Sequence, residues 1–166
     1  MKYALGALLL ALTLGPVAYR RMQRRPGDSG RAMAGDMVAG AAIYAFLGPA
    51  MGMAVVALIM TIGARSMDGL MLGLYGLPWA YLFGAVPALL CGLAAGALKP
   101  LAPSWRANLR MAALGAVYAF TFLLMFSRRD VSWSELGFPL YMGALPGAAA
   151  ALLCARLLYG KPAPIR

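Results

Sequence analysis

Residues 37–63, 69–98, 111–126 and 136–155 contain no Asp, Glu, Lys or Arg and are filled with Ala, Leu, Val, Ile, Met, Phe and Gly. A hydrocarbon core about 30 Å thick needs about 20 helical residues to cross it, so each stretch predicts a membrane-spanning helix. A fifth apolar run, residues 3–19, ends in Arg20-Arg21. Its outline resembles a secretory signal, but cleavage after Ala18 would put Pro16 where a small unbranched residue is wanted. It is therefore read as a retained span. The pattern predicts an all-α integral membrane protein, a five-helix transmembrane bundle forming one membrane domain over residues 1–166.

Within this pattern the chain repeats itself. Ala42-Ile43-Tyr44-Ala45-Phe46 matches Ala116-Val117-Tyr118-Ala119-Phe120 at an offset of 74, and Gly84-Ala85-Val86-Pro87-Ala88 matches Gly143-Ala144-Leu145-Pro146-Gly147 at an offset of 59. Repeats of this length are the first thing to seek in a sequence. Spans 2 and 3 (repeat A, residues 37–98) thus correspond to spans 4 and 5 (repeat B, residues 111–159), with span 1 (residues 3–19) outside. Two crossings restore the chain direction, so the two hairpins are parallel and related about the membrane normal.

Small residues form a ladder at four-residue spacing: Gly76, Ala80, Gly84, Ala88, Gly92 and Gly96, with a shorter copy at Gly143, Gly147, Ala151 and Ala155. Such positions let helix backbones approach closely where lipid offers no hydrophobic gain. Four residues turn a helix by about 400°, so the stripe drifts by about 40° per step. One straight neighbour cannot follow it, which predicts one contact over residues 80–88 and a different one over 88–96.

Four prolines divide into two kinds. Residues 69–98 in one helix would measure about 45 Å, so Pro78, like Pro139, is read as a helix start, with an interfacial or re-entrant segment before it. Pro87 and Pro146 fall inside spans and predict kinks at equivalent depths, each freeing the carbonyl four residues earlier, Phe83 or Met142. Tyr44 and Tyr118 are buried repeat equivalents whose hydroxyls need partners, and those carbonyls are the expected ones.

Charge orients the bundle. With a mean hydropathy of +0.76 and a formal charge of +10, the basic residues divide eleven to four when the N-terminus is placed outside and the C-terminus in the cytoplasm. This orientation explains the charge without nucleic acid, and the Arg-, Ala- and Gly-rich composition suits a bacterial cytoplasmic membrane. Arg20, Arg21, Arg24 and Arg25 form the densest cluster, placed to meet anionic lipid headgroups. Trp79, Tyr81, Trp133 and Tyr141 are expected near the outer interface and Trp105 near the inner.

Candidate chemistry is sparse. The sequence has no His, and its acids are Asp28, Asp36, Asp68, Asp130 and Glu135, all expected as solvated loop carboxylates. No nucleotide-binding loop occurs. Cys91 and Cys154 lie in apolar helix, and the twelve methionines are read as packing residues, so no metal or cofactor is expected. Ser132 and Glu135 have the spacing of a capping box before span 5.

The chain is thus expected to be a non-enzymatic multi-span protein that packs or assembles with other membrane components or with itself. A small duplicated transporter or lipid-handling protein, with a cavity between the hairpins lined by Tyr44, Tyr118 and the two kinks, is the alternative. A membrane-embedded immunity or stress protein is the second alternative.

Overall fold

The computed structural model describes residues 2–23, 29–126 and 136–161. Among them all regular structure is helical: α1 (Lys2–Met22), α2 (Gly30–Ala64), α3 (Asp68–Ala97), α4 (Trp105–Leu124) and α5 (Gly137–Tyr159). All five are long and apolar enough to cross a membrane. Arg24, Arg25, Asp28, Arg128, Arg129, Asp130, Ser132, Trp133 and Glu135 lie outside the described residues.

Local chemistry sets the helix ends. Ser29 and Ser104 stand extended as N-caps, and their hydroxyls accept the amides of Ala32 and Ala107 at 3.1 and 3.2 Å. Gly160, at φ 82°, closes α5 with a bond from its amide to the Arg156 carbonyl. Between α2 and α3 the chain reverses over three residues, with Arg65 left-handed at φ 51° and the Ser66 hydroxyl accepting from the Asp68 amide.

The ladder is consumed inside the hairpins. A Cβ on Gly92 would stand 2.8 Å from Tyr44 Cβ and 2.9 Å from Ala41 Cα, and one on Gly96 would collide with the Asp36 carbonyl. Gly84 faces Pro49, and Ala88 faces Gly48. Every rung from Gly84 to Gly96 therefore meets α2, where the drift of the stripe predicts two neighbours. In the second hairpin, Gly143 faces Leu123, and Gly147 meets Ala119 and Gly115 across α4.

Pro78 does not begin a helix. α3 runs unbroken from Asp68 through Pro78 and Pro87, 30 residues in all, and α2 has 35. The surplus length is stabilised by packing: Gly69 lies against Thr61, Gly73 against Ala57 and Gly76 against Met53, so the hairpin stays zipped to its turn. Those contacts outweigh the one backbone hydrogen bond that Pro78 removes. In α5, Pro139 does fall in the first turn, followed by a π-helical stretch, Leu140–Ala144, just before Pro146. The wide turn falls where Pro146 withdraws the amide that Met142 would have bonded.

Between hairpins, α2 packs on α5 chiefly through Leu145–Tyr159, while Leu140–Ala144 packs on α4. α1 lies against both α3 and α4. Its inward residues Leu9, Thr13 and Arg20 are buried, along a face that otherwise turns Leu8, Leu10 and Leu14 outward.

Candidate functional site

A cavity of about 250 Å³ lies between the hairpins, walled by α2, α3, α4 and α5. Its floor is set by Tyr44, Cys91, Tyr118 and Ala151, and it extends past Pro87 and Pro146 to Val56, Ala80 and Met142 towards the α2–α3 turn. Among the described residues, no charged side chain lines it. The small residues that bring the helices together at the floor also hollow the space above, because Gly48, Gly52, Gly84 and Ala88 put little volume into it.

The floor hydroxyls are occupied. Tyr44 donates to the Ala151 carbonyl at 3.0 Å, tying α2 to α5. Thr13 donates to the Leu9 carbonyl at 2.9 Å, which uses its only proton. Tyr118 therefore donates to Thr13 Oγ1, at 2.6 Å. Neither tyrosine bonds the carbonyl of Phe83 or Met142. They reach instead to what the floor brings near: the small-residue stripe of α5 for Tyr44, and α1 for Tyr118. Thr13 is a polar residue in span 1 whose role the sequence did not reveal.

Beneath the floor the helices are closed by a second polar layer. Tyr159 donates to the Ala95 carbonyl at 2.8 Å. Arg20, only 6% exposed, donates to the Gly96 carbonyl and to Asp36 Oδ2, both at 2.9 Å, and Lys99 meets Asp36 Oδ1 at 2.8 Å. Two expectations change here. Arg20 is turned into the protein and not towards a headgroup, whereas Arg21 is exposed. Asp36 is no solvated loop carboxylate, because the Ser29 cap starts α2 six residues before it and turns its side chain towards α1 and α3. The Arg156 guanidinium stands 4.8 Å over the Trp105 ring.

Asn108 is fully buried in α4, and neither its amide nitrogen nor its oxygen has a partner. No cluster of three metal-ligating side chains occurs among the described residues. Cys91 and Cys154 are buried free thiols in the core between the hairpins. The arrangement can hold an uncharged apolar group against a floor whose hydroxyl protons are already used.

Comparison with protein-family models, with curated proteins and with solved structures found no match, so function is argued from this geometry alone.

Proposed function

We propose that this chain is a multi-pass protein of a bacterial cytoplasmic membrane that takes the apolar part of a membrane-dissolved molecule into the cavity between its hairpins, as a small lipid-handling protein or transporter, without catalysis. One observation carries the reading: the cavity lies at the place where a duplicated transporter needs one, with Tyr44, Tyr118, Pro87 and Pro146 all on its wall. An assembly role through the glycine ladder needs it turned outward to a partner, whereas Gly84, Gly92 and Gly96 face α2 and Gly143 and Gly147 face α4.

The duplication itself belongs to this proposal, as two parallel hairpins plus an extra span. Two contacts support it. Gly84 with Pro49 becomes Gly143 with Leu123 when the offsets of 59 and 74 are applied, and Gly92 with Ala41 becomes Ala151 with Gly115. The proposed orientation puts the N-terminus outside and the C-terminus in the cytoplasm; Arg20, Arg31, Lys99, Arg106 and Arg156 then share the cytoplasmic end and Arg65 sits in the outer turn.

Native mass spectrometry in mild detergent tests the binding role. The purified chain should retain a bound lipid-sized molecule, and Ala80→Phe, which puts a ring into the cavity, should release it. Retention of nothing by the unaltered protein, or equal retention by the variant, overturns the reading. A reporter fused after Arg166 should read cytoplasmic and one in the α2–α3 turn periplasmic.

A second reading, assembly through α1, is favoured by one feature: Ala7, Ala11 and Gly15 are exposed at four-residue spacing on its outward side.

A further inference from the structure

The two side walls of the cavity differ. On the α3–α4 side, Phe83 of α3 meets Phe126 just beyond α4 edge to face at 5.8 Å, with Trp79 stacked on Phe83 at 6.2 Å and Phe122 against Phe126 at 5.2 Å. α1 backs the same wall: Thr13 bonds Tyr118, Arg20 bonds Gly96, and Gly6 lies beside Met125. That wall is bridged by aromatic contacts near its outer end and by α1 at the floor and below it.

The α2–α5 wall has neither device. Below, it is closed by Tyr44 on Ala151. Above, the π-wound Leu140–Ala144 packs on α4, and the cavity is bordered by Gly52 of α2 and Met142 of α5. Among the described residues, nothing lies within 4 Å of where a Gly52 Cβ would stand. Under the repeat offsets Phe83 corresponds to Met142 and Phe126 to Gly52. The aromatic plug of one wall is thus replaced in the other by a flexible thioether and a hydrogen atom.

We propose that the seam between Gly52 and Met142 is a lateral mouth, through which one acyl chain of a bilayer lipid enters the cavity while the headgroup stays in the surrounding leaflet. The inference rests on the proposed binding role. Size and chemistry select the occupant. A volume of about 250 Å³ falls below the roughly 300–1,000 Å³ of sites that enclose a whole small molecule. Gly52 stands eight residues from Tyr44, so the mouth is about 12 Å above the floor along α2. This space suits part of a chain and not a headgroup, for which the described wall residues offer no charge and the floor no free hydroxyl proton. Met142 acts as the leaf of the mouth, since three rotatable bonds and a soft sulfur let it swing aside, and a π-turn is a frequent site of such local adjustment.

The test uses the full chain reconstituted in phosphatidylethanolamine–phosphatidylglycerol vesicles that contain phosphatidylglycerol with a diazirine near the end of one acyl chain. After illumination, adducts are mapped by mass spectrometry at the buried floor residues Tyr44, Cys91 and Tyr118. The unaltered protein should carry floor adducts. Gly52→Trp should lower them at least fivefold while adducts on the exposed residues Leu82, Val86 and Leu89 persist. Gly15→Trp, on the open outer face of α1, should leave floor labelling unchanged. Met142→Trp is the second plug, should Gly52→Trp unfold the chain. Floor labelling that survives both plugs in folded protein overturns the mouth and leaves the cavity standing. Absence of floor labelling in the unaltered protein overturns the binding role and the mouth with it.

Discussion

Tyr44 of α2 and Tyr118 of α4 both stand in the cavity floor, yet one hydroxyl crosses to the Ala151 carbonyl of α5 and the other to Thr13 of α1. Both bonds lie in the buried floor, and each ties two helices together there. Tyr44→Phe should lower stability by about 0.6–1.5 kcal/mol, the range of interhelical hydrogen bonds in membranes and of net protein hydrogen bonds. Thr13→Val should cost about as much, because it removes the acceptor of Tyr118. Unfolding in mixed micelles measures both, and two unchanged midpoints would show that the floor bonds contribute nothing.

Glycines of one type should divide sharply by place. Gly92→Ala and Gly96→Ala push a methyl into the backbone of α2 and should destabilise by about 1–3 kcal/mol, the usual effect of overpacking. Gly63→Ala adds a methyl to open space in the same hairpin and should be neutral or stabilising by up to about 1 kcal/mol through helix propensity. Equal effects at the three positions would dissociate the ladder from the packing.

Asp36 compensates the buried Arg20 guanidinium, with Lys99 on its other oxygen. Asp36→Asn keeps the shape and removes the charge. Its cost should be about 2 kcal/mol, below the loss seen for a fully buried pair because Asp36 is partly wetted. Thermal unfolding should show the same loss for Arg20→Gln, and the double variant should be less damaged than the sum of the two. Strict additivity would mean that the pair does not interact.

Asn108 should behave in the opposite direction. A buried amide without partners is costly to hold, so Asn108→Leu should stabilise by about 1 kcal/mol or be neutral. A loss of more than that, in the same unfolding assay, would mean that the amide has a partner in the native membrane.

Five long apolar helices were legible in the sequence because charge-free stretches of that length stand out from the charged segments between them. What the sequence hid had physical causes. Windows that stop at charged residues end too early, so Asp36, seven residues into α2, reads as a loop carboxylate although the Ser29 cap has already begun the helix. Pro78 reads as a helix start from its own lost hydrogen bond, while the deciding energy lies in Gly69, Gly73 and Gly76 zipping against α2. Tyr44, Tyr118, Pro87 and Pro146, singled out by their matching sequence contexts, all line the cavity wall. Thr13 escapes notice because nothing in the spacing of α1 tells which helices it joins.

That unmatched helix has a consequence for counting. A pair of related hairpins offers two symmetry-related flanks, and a protein built from them alone would have a valence of two. By lying across α3 and α4, α1 covers one flank and leaves the other. A lipid-binding chain of this build would service a single guest at a time, and its freed flank can diverge without disturbing its mate.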